Sequence, residues 1–383
     1  MRVLQVACQG LGNGGVQSVI MNISRNLPNV QTDILVFTKQ KGYHEDEFKE
    51  LGGNIYRIPH YEGDNRFRRQ VDYYIRFFRI LFGTYKILKK NGKYDLIHCH
   101  NDLESAICNL AAYFAGVKLR ISHSHTASNK FPKKFILPYL YRKTLQKLMN
   151  KSSNVKLGCS QESFISIFGE KHLLKATSYI IPNSIDLKKF SRSESNQKEK
   201  KDFNIVHVGR YENNKNQLFI LELMPYILKR IDNLKLKLIG EGSYRKLLED
   251  KIKELDLQEK VQLLASDSNV KEVLEEADLF ILPSKREGFG IVLLEAQAME
   301  VPCLVSNTVP RIVDCGLCEF LSLDEDKELW ADHAMKILEG KHDKKINKEK
   351  LRNFDLDKYV LFVKSLYEGK RYESWDAYIS QGR

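Results

Sequence analysis

The stretch Leu282-Pro283-Ser284-Lys285-Arg286-Glu287-Gly288-Phe289-Gly290-Ile291-Val292-Leu293-Leu294-Glu295-Ala296 runs from strand to loop to helix. Leu279–Leu282 is an apolar run of the length expected for a buried strand, and a polar, glycine-bearing loop follows it. A helix starts near Gly290 and carries its apolar residues to Met299. Glu287 falls in the loop. Glu295 falls about a turn and a half into the helix, on roughly the same side as Ile291. Between the two carboxylates, the free N–H groups of the helix start offer a phosphate site. One acid for each of two sugar rings, flanking a diphosphate, is the arrangement a nucleotide-sugar site requires.

Such a site also needs cations. The strand Asn204–Val208 is followed by Gly209-Arg210-Tyr211-Glu212-Asn213-Asn214-Lys215-Asn216. Arg210 and Lys215, at the carboxyl end of that strand, supply charge to neutralise a departing diphosphate.

The rest of the chain repeats the same rhythm. Val3–Ala7, Thr32–Phe37, Leu96–His98, Leu119–Ser122 and Val155–Gly158 read as strands, each followed by a helical pattern. After a polar stretch at 191–201 the series restarts with Asn204–Val208, Lys235–Ile239, Val261–Leu264, Leu279–Leu282 and Cys303–Ser306. Helices are expected at Gln217–Lys229, Tyr244–Leu255, Asn269–Glu275 and Ile291–Met299, with a helical, aromatic tail from Leu356 to Arg383. Alternating strands and helices predict an α/β chain with parallel sheets. Two series predict two doubly wound, Rossmann-like domains facing across a cleft, with ligands at the carboxyl ends of the strands. The expected domains are 1–186 and 187–364, with 365–383 packing back on the first.

Composition excludes several classes. The 383 residues are 43% hydrophobic, with only 22 Gly and 9 Pro, so collagenous and disordered readings fall. No apolar run approaches the roughly 18 residues of a spanning helix. The start of the chain lacks a signal peptide's pattern, so a cytoplasmic protein is expected. Seven irregularly spaced cysteines fit reduced thiols, and the single Cys315/Cys318 pair does not complete a zinc site.

Charge is uneven. The net charge is +12, and residues 1–190 hold 29 Lys and Arg against 14 Asp and Glu, while the remainder is nearly balanced. Between Arg66 and Lys90 the apolar residues Phe67, Val71, Tyr74, Ile75, Phe78, Leu81, Phe82, Tyr85 and Leu88 recur at helical spacing, opposite Arg69, Arg76, Arg79, Lys86 and Lys90. A second basic segment runs from Lys130 through Lys133, Lys134, Arg142, Lys143 and Lys147 to Lys151, interleaved with Phe135, Ile136, Leu137, Tyr139 and Tyr141. The ordinary reading of the helix is an apolar side on the core and a basic side in water. The sharper one is contact of this basic domain with an anionic inner membrane surface or a diphosphate-bearing lipid. No zinc-finger, RRM or helix-turn-helix signature accompanies the charge, so nucleic acid is not an expected partner.

Gly10-Leu11-Gly12-Asn13-Gly14-Gly15 follows the first strand and opens a helix near Val16, matching the dinucleotide fingerprint. A NAD site would also want an acid at the end of the second strand, where Phe37-Thr38-Lys39 stands instead; Asp33 lies at that strand's start. The dehydrogenase reading fails there. Two further strands end in histidines, His98-Cys99-His100 and His123-Ser124-His125. No Glu completes an H-E-x-x-H pattern, so no metal site is expected.

With these residues in view, the chain resembles the GT-B glycosyltransferases of family 4, retaining nucleotide-sugar enzymes that build bacterial polysaccharides and glycolipids. Glu287 to Glu295 looks like their E-x7-E motif, and Arg210 and Lys215 match their diphosphate-binding Arg and Lys. Ile181-Pro182-Asn183-Ser184-Ile185-Asp186 is similar to the segment entering their second domain, and Gly14-Gly15 to their N-terminal glycine loop. The His-Ser-His is similar to that of capsular and exopolysaccharide members. Ser184, Ala265 and Glu300 stand where glycine is frequent in the family.

The resemblance implies roles. Glu295 would bind ribose hydroxyls and Glu287 hydroxyls of the transferred sugar, while backbone groups of Gly288, Phe289 and Gly290 steady that sugar. Arg210 and Lys215 would hold the diphosphate. His125 would lie near the sugar's outer hydroxyl, with His123, His100 and Asn183 toward the acceptor. No metal or other cofactor is implied, because side-chain cations replace one. The expected activity is metal-independent transfer of a hexose to a saccharide or lipid-linked acceptor in cell-surface polysaccharide synthesis. Two rivals remain, a nucleotide-sugar epimerase on the same fold and a non-catalytic nucleotide-sugar-binding partner of a glycosyltransferase complex.

Overall fold

The computed structural model describes residues 1–7, 10–12, 14–60, 63, 65–100, 103–125, 136–192 and 202–380. It divides into two compact units, Met1–Asn183 with Asp357–Arg383, and Ser184–Leu356. The second unit thus begins three residues before the expected boundary, and the return to the first begins at Asp357 rather than 365.

The first unit opens with β1 (Arg2–Ala7), α1 (Gly15–Asn26), β2 (Gln31–Val36), α2 (Glu45–Glu50) and β3 (Ile55–Arg57). The long α3 (Arg66–Lys90) leads into β4 (Leu96–Cys99), α4 (Ser105–Ala115) and β5 (Leu119–Ser124). Then come α5 (Ile136–Ser152), β6 (Val155–Gly158), α6 (Gln161–Phe168) and β7 (Ser178–Ile180). The strands form one parallel sheet in the order β3-β2-β1-β4-β5-β6-β7. Apolar residues fill both faces of the central strands. Leu4 and Val6 pack with Ile80, Ala106, Ile107 and Phe164 on one side, and Ala7 packs with Ile20, Met21 and Phe48 on the other.

The second unit runs β8 (Phe203–Val208), α7 (Gln217–Leu228), β9 (Leu234–Ile239), α8 (Arg245–Glu254), β10 (Val261–Leu264) and α9 (Val270–Glu275). It continues with β11 (Leu279–Leu282), α10 (Ile291–Ala298), β12 (Cys303–Ser306), β13 (Cys318–Leu321), α11 (Lys327–Leu338) and α12 (Lys348–Arg352). Its parallel sheet has the order β10-β9-β8-β11-β12-β13. Trp330 of α11 meets Phe219 of α7 edge to face at 5.1 Å in a core that includes Leu236, Leu238, Leu279 and Ile281. Glu300 has φ +58°, a left-handed conformation that a side chain resists.

The tail forms α13 (Leu356–Tyr367) and α14 (Trp375–Ser380), two helices rather than one. Both belong to the first unit: Tyr367 meets Gln5, Phe362 meets Tyr179 at 5.6 Å, and Trp375 and Tyr378 close around Phe362.

The expected orientation of α3 is corrected. Ile80, Thr84 and Leu88 are buried, but Val71, Ile75, Phe78, Phe82 and Tyr85 are exposed. Arg76 and Arg79 are half-buried instead, paired with Glu104 at 2.5 Å and with Asp72. The reason is that the helix is apolar over too wide an arc for one seam, and its small Gly83-Thr84 edge packs closest. A Cβ on Gly83 would lie 2.6 Å from Ile58 Cδ1. The side chains of Phe67, Arg69 and Tyr74, the basic run at Lys130, Lys133 and Lys134, and the polar stretch 193–201 lie outside the described residues. Among the described residues no helix is long and apolar enough to cross a membrane.

Candidate active site

In each sheet the direction of winding reverses beside the first strand of the unit, between β1 and β4 and between β8 and β11. Loops diverge at such points and leave a crevice at the strand ends. The candidate residues gather at these two places.

In the second unit the loop after β8 and the loop after β11 are stitched together. Lys285 N donates to Asn214 O at 2.8 Å, and Asn214 Nδ2 donates to Arg286 O at 2.7 Å. Asn216 Nδ2 reaches Pro283 O at 3.1 Å, and Lys285 Nζ reaches Asn213 Oδ1 at 2.6 Å. This frame brings Lys215 Nζ to 2.6 Å from Glu287 Oε1, which also accepts from Ser284 Oγ at 2.7 Å. The Glu287 side chain retains 9% exposure and Lys215 18%, so the pair sits at a sheltered rim. Arg210 turns outward, more than half exposed, with Glu212 at 3.3 Å.

The loop after β9 makes room for this frame. A Cβ on Gly240 would lie 2.1 Å from Gly209 O, so only glycine allows the two loops to touch. An open groove of about 710 Å³ is lined by Glu212, Asn213, Asn214, Lys285, Arg286 and Thr308. Glu212, Asn213 and Asn214 stand in the quoted cation loop and Lys285 and Arg286 in the quoted loop before α10, but the sequence reading gives none of the six a role. Only the adjacency of β8 and β11 makes them neighbours.

Gly290, at φ +92°, caps α10, and the helix N-terminus follows directly. Phe289 is buried with its ring 6.1 Å from Phe354, which leaves its backbone as the part that can meet a ligand. Glu295 is half-buried in α10, and burial pushes its carboxyl up to about 7, an effect Lys189 partly opposes. Its neutral form is therefore populated near neutral pH, and a hydroxyl partner would stabilise the charged form. Below this site, His207 of β8 meets Ile281 O through Nδ1 at 2.9 Å, while its buried Nε2 has no partner. Burial pushes His207 down to about 4, keeping it neutral.

In the first unit Gly14 caps α1 in an extended conformation and Gly15 begins the helix, giving a bare N-terminus with no acidic residue in the first turn. Asp33 is fully buried and serves the fold. Burial opposes its charge, yet hydrogen bonds from Tyr94, Asn54 and Arg2 hold the carboxyl below its ordinary range.

His98, His100, His123 and His125 form one stack on the same side of the sheet, as strand alternation requires. Ring centroids are 4.0 Å apart for His98–His100 and for His123–His125. All four are buried, and burial drives each below its ordinary value, His98 and His125 to about 3. Their neutral tautomers follow from a hydrogen-bonded chain. Gln5 Nε2 donates to Tyr367 Oη at 3.0 Å, so Tyr367 donates to His98 Nδ1 at 2.8 Å. Gln5 Oε1 accepts from His100 Nε2 at 2.6 Å, so His100 Nδ1 accepts from His125 Nε2 at 3.0 Å. His125 Nδ1 is left as an acceptor beside Asn183. His98, His100 and His123 present ligand atoms within 4.8 Å of one another, but both nitrogens of His100 are already engaged in this chain.

Two doubly wound parallel sheets, each with a glycine-turned helix start at its switch point, are the two units of the GT-B fold. The chain belongs to the glycosyltransferases: residues 188–354 match the family model described as glycosyl transferases group 1, and residues 13–189 match glycosyltransferase family 4. It is 29% identical over 371 residues to the putative glycosyltransferase EpsF of Bacillus subtilis (strain 168), covering 93% of each chain. It is 28% identical to the UDP-Gal:alpha-D-GlcNAc-diphosphoundecaprenol alpha-1,3-galactosyltransferase of Escherichia coli, over 76% of each chain. Among solved structures, Anabaena Alr3699/HepE in complex with UDP has the same fold, with a TM-score of 0.75 at 17% identity, covering 97% of this chain and 100% of that one.

Proposed function

We propose that the chain transfers a hexose-type sugar from a nucleotide diphosphate sugar to a saccharide or lipid-linked acceptor in cell-surface polysaccharide synthesis, with retention at the anomeric carbon. The observation that carries this reading is the Lys215–Glu287 pair held between the loops of β8 and β11. A diphosphate is a strong competitor for an ammonium group, and sugar hydroxyls are natural donors to a carboxylate. One donor substrate therefore satisfies both partners at once. The named donor and acceptor of the E. coli relative, a UDP-sugar and a lipid-linked diphosphate sugar, support the same substrate classes here.

In the proposed step the acceptor oxygen attacks the anomeric carbon on the face the phosphate leaves. The carbon–oxygen bond to the diphosphate breaks, a new glycosidic bond forms, and the acceptor proton passes to the departing phosphate oxygen. Negative charge grows on the diphosphate, where Lys215, Arg210 and the N–H groups at Gly290 and the start of α10 stabilise it. Side-chain and backbone donors take this role without a metal. Glu295 receives the ribose hydroxyls. His125 keeps the role the family resemblance gives it, a partner of the transferred sugar. A cytoplasmic chain whose basic first half meets the inner membrane face completes the proposal.

The test is nucleotide release across UDP-, GDP- and ADP-sugars, with membrane extract as acceptor, with and without EDTA. Acceptor-dependent release that survives EDTA supports the reading. Donor turnover to an epimeric sugar without acceptor would replace it with the epimerase, and loss of all activity in EDTA would end the metal-free step.

A further inference from the structure

On α3 the residues Val71, Ile75, Phe78, Phe82 and Tyr85 are 41%, 50%, 58%, 65% and 38% exposed. At 100° per residue they fall within an arc of about 80°, one continuous stripe along the helix. Phe78 and Phe82 stack with centroids 6.4 Å apart. Lys86, Lys89 and Lys90 are exposed at the stripe's end, and Lys89 Nζ lies 5.9 Å over the Tyr85 ring. On α4, which packs against α3, Tyr113 and Phe114 are each 60% exposed as well.

This exposure is enforced. Rolling the helix to bury the stripe would break the Arg76–Glu104 and Arg79–Asp72 pairs and drive Gly83 away from Ile58. Two phenylalanines left in water forgo the stabilisation that burial would give, so the fold holds open a surface that needs a cover.

We infer that this stripe seats the first unit on an anionic lipid bilayer, with Phe78 and Phe82 entering the acyl boundary and the lysines meeting the headgroups. Aromatic rings bordered by snorkelling lysines suit that boundary. Charge selects the lipid over a second copy of the chain. The first 190 residues hold 29 Lys and Arg against 14 Asp and Glu, so two copies meeting here would repel while an anionic surface attracts. The inference deepens the membrane side of the proposed function and rests on it; the apolar stripe, not the arginine side, makes the contact.

The experiment is co-sedimentation with vesicles of 30% phosphatidylglycerol in phosphatidylcholine, against vesicles of phosphatidylcholine alone. The intact chain is expected on the anionic vesicles, with at least a ten-fold preference over neutral ones. Phe78→Ser with Phe82→Ser should lower that binding at least ten-fold, with an unchanged melting temperature and unchanged nucleotide-sugar binding in solution. Wild-type failure to sediment, or full binding by the double variant, overturns the inference. A shift from dimer to monomer on the substitutions, read by light scattering, overturns it in favour of an interface between copies. Nucleotide-sugar binding is measured in the same samples, so loss of the docking surface and loss of the transferase reading appear separately.

Discussion

Lys215 and Glu287 are 72 residues apart in sequence, yet their Nζ and Oε1 atoms meet at 2.6 Å because β8 and β11 are neighbours in the sheet. The two substitutions should not be equivalent. Lys215→Ala is expected to weaken nucleoside diphosphate binding about ten-fold and to lower kcat by about 100-fold or more, since it removes charge from the leaving group. Glu287→Ala should lower kcat about as much while nucleoside diphosphate affinity stays within about three-fold, because the role proposed for that acid is to hold the sugar. Calorimetry and initial rates separate the two. Transfer that survives Glu287→Ala undiminished would contradict the proposed sugar role of that acid.

Glu295 adds a pH dependence. Between the ordinary carboxyl range and about 7 the folded chain keeps a proton that the unfolded chain has released, so this group's contribution to stability falls as pH rises through that window. Ribose hydroxyls prefer the carboxylate, so nucleoside diphosphate affinity should rise across the same interval. Glu295→Gln is expected to flatten both trends. Titration calorimetry and melting curves from pH 5 to 8 check this, and an affinity that ignores pH in the wild type would count against the ribose role.

The histidine stack predicts the opposite sign. Its four members are depressed in the folded chain, so below about pH 6.5 the unfolded state binds more protons and stability is lost as pH falls. The melting temperature should drop steadily from pH 6.5 toward 4, and less so in His123→Leu, whose ring nitrogens have no partners. Because His125 stays neutral, the pH–rate profile should show no imidazole limb between 5 and 8. Tyr367→Phe and Gln5→Leu should lower kcat more than they raise KM, by releasing the His98 and His100 tautomers.

Two substitutions test the reading of the frame. Asp33→Ala removes the buried partner of Arg2, Tyr94 and Asn54 and should cost about 3 kcal/mol or more, with nucleotide affinity per folded molecule unchanged. Glu300→Gly relieves the left-handed backbone at the expense of an exposed 3.1 Å pair with Lys348, and should stabilise by roughly 0.5 kcal/mol. Denaturant unfolding measures both.

Much of this architecture was legible before any coordinates. Each of the ten apolar runs became a strand, nine inside their sheets and β10 at an edge, and helices α7 to α10 began and ended within about one residue of expectation. The strands that escaped, β3, β7 and β13, are three or four residues long and lie at sheet edges, where one-sided burial leaves little apolar pattern. Lys215 and Glu287 could be named from their loops. Asn213, Asn214, Lys285 and Arg286 could not be joined, because their partnership exists only through strand order. The misread side of α3 has a similar cause. Hydrophobic spacing locates an apolar arc, but Gly83, Ile58 and two arginine pairs decide which part of that arc turns inward.

The most direct measurement is a crystal structure of the chain soaked with its nucleotide diphosphate sugar. The account predicts diphosphate oxygens within hydrogen-bonding distance of Lys215 Nζ and the Arg210 guanidinium, with Glu287 turned to the sugar and Glu295 to the ribose. A diphosphate bound away from Arg210 and Lys215 would contradict it.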